Sequence, residues 1–106
     1  MSGSSNNYSP SFKNTKEVSC EVFSFKTKIA SPNPDVLAKC VIGDELILVF
    51  NDSNAFLLYT NDEEYAGGIV SSYRDKLLSC INEGFVYKAT ILKIEGANCE
   101  IRILAK

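Results

Sequence analysis

Two short apolar runs with almost nothing between them constrain this chain most. Residues 45–50 (Glu45-Leu46-Ile47-Leu48-Val49-Phe50) and 55–60 (Ala55-Phe56-Leu57-Leu58-Tyr59-Thr60) are apolar almost throughout, and only Asn51-Asp52-Ser53-Asn54 separates them. Runs of this length read as strands, and turn residues between two of them read as a hairpin loop. An unbroken apolar run such as 45–50 predicts a strand buried on both sides. The hairpin therefore needs strands beside it and a cover over its faces.

The flanking sequence supplies both. Val18 to Lys28 reads as a first strand, in which Val18, Cys20 and Val22 share one parity while Phe23 and Phe25 fall on the other. That switch predicts a bulge or a bend between two faces. Asn33 and Pro34 suit the cap and first position of a short helix over about 34–40. After the acidic turn Asn61-Asp62-Glu63-Glu64 comes a short strand, Tyr65 to Val70. Ser72 with Asp75 three residues on predicts a capped helix over about 72–83. Its buried face carries Tyr73, Leu77, Cys80 and Ile81, and Gly84 is the left-handed stop. Phe85 to Ile94 and Cys99 to Leu104, joined by Glu95-Gly96-Ala97-Asn98, form a final hairpin with one wet face. The order predicts a mostly β (α+β) domain: a small SH3/OB-like antiparallel β-barrel of about six strands, plugged by one main helix.

Length and composition bound the rest. The 106 residues fit one domain. Residues 1 to about 15 are rich in Ser and Asn and read as a flexible tail, leaving 16–106 as the folded unit. The net charge of −2 argues against a broad electrostatic grip on duplex nucleic acid. No apolar run reaches a membrane-spanning length, so no membrane contact is expected. The chain has no histidine, which excludes Cys-His and Ser-His nucleophile pairs. Carboxylates are numerous but none has diagnostic spacing, and no glycine-rich phosphate cradle is present, so no enzyme, metal or cofactor is expected. Cys20, Cys40, Cys80 and Cys99 lack the close pairing of zinc ligands. They read as buried thiols in a reducing, cytoplasmic setting.

The polar residues that call for a function gather around the first hairpin. Asp52 and Asn54, with Asn51, would present carboxylate and amide groups on a barrel rim, where they can read a sugar hydroxyl or a base edge. The same residue types also satisfy turn backbone. Phe25 is the aromatic expected to stand exposed as a stacking platform, beside Lys26 and Lys28. Phe23, Tyr59, Tyr65 and Tyr73 are further aromatics of which most should be core. Lys26, Lys28 and Arg74 are candidate phosphate contacts.

These residues, in this order, resemble the HIRAN domain family. Asp52-Ser53-Asn54-Ala55-Phe56 matches its loop signature, and Ala66-Gly67-Gly68-Ile69 its glycine-bearing strand. Leu77, Leu78, Ile81 and Gly84 match its helix, and Tyr87-Lys88-Ala89-Thr90-Ile91 the strand after it. The resemblance covers about residues 18 to 104. It implies a small barrel that recognises single-stranded DNA at a 3′ end, with Asp52 at the position that contacts the terminal hydroxyl. Val49-Phe50-Asn51 stands where the family has an Asn-Pro-Tyr-like lead, so the stacking tyrosine of that loop is missing. The expectation from a different class is an interaction protein, for instance a phage- or mobile-element-encoded modulator, using the same barrel as a monomer or weak homodimer. An open sheet edge would serve such a homodimer.

Overall fold

The computed structural model describes residues 18–106, so the expected tail lies outside the described residues. Six strands form one antiparallel sheet: β1 (Ser24–Lys28), β2 (Glu45–Phe50), β3 (Phe56–Tyr59), β4 (Tyr65–Ile69), β5 (Tyr87–Glu95) and β6 (Asn98–Ala105). The spatial order is β1-β6-β5-β2-β3-β4. Two helices accompany them, α1 (Pro34–Leu37) and the longer α2 (Arg74–Asn82). The sheet curls into a half-barrel as expected for a small, mostly β domain.

Curling brings the two ends of the sheet together at one point. Ala30, just past β1, exchanges both backbone hydrogen bonds with Gly68 of β4, at 2.8 and 2.9 Å. The approach is close enough to require glycine at position 67. A Cβ on Gly67 would collide with Ile29 Cγ2 and come 3.0 Å from Ala30 O, and Gly67 has φ +150°. Asn33 extends the seam by donating its N–H to Ala66 O at 2.9 Å and its Nδ2 to Tyr65 O at 3.1 Å. Its Oδ1 accepts from Asp35 N at 3.2 Å and caps α1, with Pro34 in the first turn.

The core lies between the inner face of the sheet and α2. Phe56, Leu58, Leu77, Ile91, Ile101 and Ile103 are among its fully buried members, and no polar or charged side chain among the described residues is buried with them. Alternation along β6 puts Cys99, Ile101 and Ile103 inside and Glu100 and Arg102 outside, the wet-faced strand expected. Gly84, at φ +102°, stops α2 as expected. Gly84 N donates to Ile81 O and Phe85 N to Cys80 O, which satisfies two terminal carbonyls.

Four expectations need correction. First, β1 begins at Ser24 and not at Val18. Val22 N and Phe23 N both donate to Ser19 O, and the Ser19 hydroxyl accepts from Glu21 N, so residues 19–23 close as a turn. The change of parity marks where the strand starts. Second, β2 is buried on one side only. Leu46 points inward, whereas Ile47 and Val49 are 43% and 39% exposed. Third, α2 starts at Arg74, and the Ser72 capping box is not made. The Ser71 hydroxyl accepts from Tyr73 N at 3.1 Å and holds a turn ahead of the helix. Fourth, Cys20 and Cys80 are joined by a disulfide, leaving Cys40 and Cys99 as thiols. The bond ties the turn before β1 to the last turn of α2. Disulfides persist in oxidising compartments and inside hyperthermophilic cells, so cysteine usage no longer points to a reducing cytosol. No helix among the described residues is long and apolar enough to cross a membrane.

Candidate nucleic-acid interface

The β2–β3 loop is held by its own side chains. Asn51 N donates to Ala55 O at 2.9 Å, and Asn51 Oδ1 accepts from both Ser53 N (3.0 Å) and Ala55 N (2.9 Å). Asn54 N closes the turn on Asn51 O at 3.1 Å, with Asn54 itself at φ +65°, a conformation asparagine tolerates better than most residues. Asn51 is therefore a structural residue of the loop, and its amide oxygen is occupied.

Arg74, the first residue of α2, reaches into this loop. Its Nη2 donates to Asn54 O at 2.6 Å, and its guanidinium lies 5.9 Å over the Phe50 ring. A charge-assisted bond to a backbone carbonyl fixes loop and helix start relative to each other. Asp52 stands exposed at the loop tip, and among the described residues it forms no ion pair. The clamp thus holds the backbone and leaves one carboxylate unengaged.

An aromatic completes the arrangement, though not the expected one. Phe25 is only 5% exposed and lies under Tyr73, ring centroids 5.1 Å apart and planes 29° from parallel. Phe25 therefore offers no face to a base. The exposed ring is Tyr73, at 41%, backed also by Phe23 at 6.0 Å. Lys76, one turn along α2, places its Nζ 5.9 Å from the Phe23 ring. Tyr73 is therefore flanked by Arg74 and Lys76 and borders the Asp52 loop. The hydrophobic periodicity of α2 counted Tyr73 into the buried face. The signal that separates it is its place just ahead of the helix, after Ser71 and Ser72.

Lys26 and Lys28 do not join this group. Alternation along β1 sends Phe25 inward and both lysines to the outer face of the sheet, where Lys26 stands opposite Arg102 and Lys28 opposite Glu100. A cleft of about 250 Å³ lies elsewhere, between α1 and the β3–β4 turn, lined by Val36, Lys39, Asp44, Glu45, Asp62 and Glu64. Lys39 and Glu64 pair there at 2.8 Å. Among the described residues no cluster of histidine, cysteine and carboxylate side chains is arranged to hold a metal ion.

Fold and site together define a small half-barrel domain with a hydrogen-bonded rim loop, an exposed aromatic and two cations nearby on α2. No protein-family model matches the chain, and no curated protein or solved structure matches it either.

Proposed function

We propose that the chain is a non-enzymatic binding module of HIRAN type that takes single-stranded DNA at a 3′ end. The observation that carries this reading is the Arg74 bridge to Asn54 O, which ties the start of α2, beside the exposed Tyr73 ring, to the loop that carries Asp52. Tyr73 stacks on a terminal base, which alanine substitution values at about 1–3 kcal/mol. Lys76 and Arg74, whose Nη1 exchanges the exposed Asp75 carboxylate at 3.5 Å for phosphate, meet the backbone, and Asp52 accepts from the 3′ hydroxyl. Backbone-directed recognition of one strand end needs only a few cations, which suits a net charge of −2.

The test is fluorescence anisotropy with a short labelled single strand at low and moderate salt, its 3′ end free or blocked. Salt-sensitive binding that prefers the free end supports the reading. Tyr73→Ala should weaken binding to both strands, and Asp52→Ala should abolish the preference for the free end. Absence of binding at low salt, where phosphate attraction is strongest, sinks it.

A further inference from the structure

The surface around Tyr73 is built from two segments that no backbone hydrogen bond joins. One is the turn over residues 19–23, which carries Phe23; the other is α2, with Tyr73 just ahead of it. Val22 N and Phe23 N both donate to Ser19 O, inside the turn. The backbone bonds of α2 and its two ends likewise close on themselves, from Arg74 N on Ser71 O to Phe85 N on Cys80 O. Side chains make the connection. Phe23 is buried, and its ring lies 5.5 Å from Phe25, 6.0 Å from Tyr73 and 6.2 Å from Tyr87. It is the ring around which the others pack. The Cys20–Cys80 disulfide crosses between the same two segments. Cys20 stands three residues ahead of Phe23. Cys80 stands seven residues after Tyr73, two turns along the same helix face. Arg74 thus holds the front of α2 to the β2–β3 loop, and the disulfide holds its back to the turn.

We propose that this bond is a redox latch on the Tyr73 surface, closed when oxidised and opened by a dithiol reductant. That it sets ligand affinity rests on the single-strand reading above; that it orders the two segments does not. A thiolate of the reductant attacks Cys20 Sγ, the more accessible sulfur, since Cys20 is 8% exposed and Cys80 0%. The Sγ–Sγ bond breaks, a mixed disulfide forms on Cys20, and Cys80 leaves as a thiolate that takes up a proton. The second thiolate of the reductant then displaces Cys20, which takes up the other proton. Two electrons and two protons pass to the protein, and the reductant closes into a cyclic disulfide. Both thiols have a place once the bond is open. Cys80 belongs to the apolar core, where a thiol behaves as a small hydrophobe. Cys20 Sγ lies 3.9 Å from Glu83 Oε1, an acceptor for its S–H. Pairing of β1 with β6 begins at Ser24, past the turn, so the sheet does not depend on the bond. Reduction therefore leaves the fold in place and removes the crosslink that fixes Phe23 behind Tyr73.

Hydrogen exchange of the full chain, oxidised and after treatment with dithiothreitol, tests the latch. Alkylation under denaturing conditions assigns the state, because Cys40 and Cys99 alone react in the oxidised chain and all four cysteines in the reduced one. Reduction should speed exchange over residues 19–23 and 74–82 by about tenfold or more, with the β5–β6 amides unchanged. The double variant Cys20→Ala, Cys80→Ala should show the reduced pattern with or without dithiothreitol. In the anisotropy assay, reduction should raise the dissociation constant for the single strand about fivefold or more, the lower end of what one stacked base contributes. Reoxidation should restore it. Identical exchange in the two states overturns the proposal. So does exchange that speeds equally in every strand, because the bond is then a staple of the whole fold. Equal strand affinity in the two states overturns it too. Absence of binding in both states counts against the single-strand reading, and the exchange pattern then decides the latch by itself.

Discussion

The β2–β3 and β5–β6 hairpins lie side by side in one sheet, yet they are held in different ways. The β5–β6 hairpin pairs from Tyr87↔Ala105 to Glu95↔Asn98, with one register shift between Ile91 and Lys93, and turns on Gly96-Ala97 alone. Backbone pairing and burial carry it. The β2–β3 hairpin is shorter, from Ile47↔Tyr59 to Phe50↔Phe56, and its loop relies on the Asn51 side chain and on Arg74 from another element. A turn that only reverses the chain needs no such support. A loop fixed from outside, with Asp52 left unengaged at its tip, is organised to present something.

The largest expected effect comes from removing what supports the second kind of hairpin from behind. β4 completes the β2–β3 side of the sheet and is seated on Ile29 and Ala30 through Gly67. Gly67→Ala places a methyl against Ile29 and Ala30 at a φ that L residues avoid. It should cost about 3 kcal/mol from overpacking and strain together. Gly96→Ala is the control in the first hairpin. A Cβ there meets nothing within 4 Å, and only the φ of +62° opposes it, so about 1 kcal/mol is expected. Urea denaturation of both variants gives the ratio. Equal costs would mean that the seam at Gly67 does not hold the sheet closed.

What could be read from sequence, and what could not, follows the same division. Asn33-Pro34 and Gly84 were legible because capping and helix termination are local chemistry, satisfied by neighbours in the chain. The two apolar runs were legible as strands for the same reason. Ile47 and Val49 were misplaced because a continuous apolar run does not reveal which parity faces the core. The Cys20–Cys80 bond spans 60 residues, and spacing alone says nothing about such a pairing. Choosing Tyr73 over Phe25 requires knowing which ring covers the other, a fact of tertiary packing. The loop signature drew attention to Asp52 and Asn54, but the separation of 20 residues between Asn54 and Arg74 hid the clamp.

High pH should strain the burial-held hairpin. Cys99, in β6, is fully buried, and burial pushes its thiol up to about 11, with the nearby Cys40 adding to the shift. The folded pKa lies above the unfolded one, near 9, so this contribution is complete below about pH 9 and is lost as pH rises toward 11. Stability should fall by up to about 1.4 kcal/mol per pH unit for this one proton. Cys99→Ala should flatten that slope, with burial of Cys40 and Tyr87 leaving a smaller one in the same direction. An unchanged slope would remove Cys99 as the cause. Asn51→Ala acts on the other hairpin at any pH. It removes the acceptor for Ser53 N and Ala55 N and should cost about 1–2 kcal/mol.

The smallest effect on stability is the most informative about function. Asp52 neighbours Asn51 in the same turn, and a sequence reading cannot tell which of the two is structural. The hydrogen bonds assign that role to Asn51 and leave Asp52 exposed. Asp52→Ala should therefore change the unfolding free energy by no more than about 0.5 kcal/mol, as at other surface sites without partners. If it instead costs as much as Asn51→Ala, the carboxylate serves the turn, and its availability to a ligand falls with it. A neutral result makes any loss of binding in this variant a loss of contact and not of loop shape. Arg74→Lys gives the complementary comparison, because it keeps the charge while giving up the planar guanidinium that reaches Asn54 O and lies over Phe50. Binding lost by Arg74→Lys but retained by Asn51→Ala would place the ligand on the planar guanidinium itself and not on its charge alone. Binding lost by both would place it on the shape that Asn51 and Arg74 jointly hold.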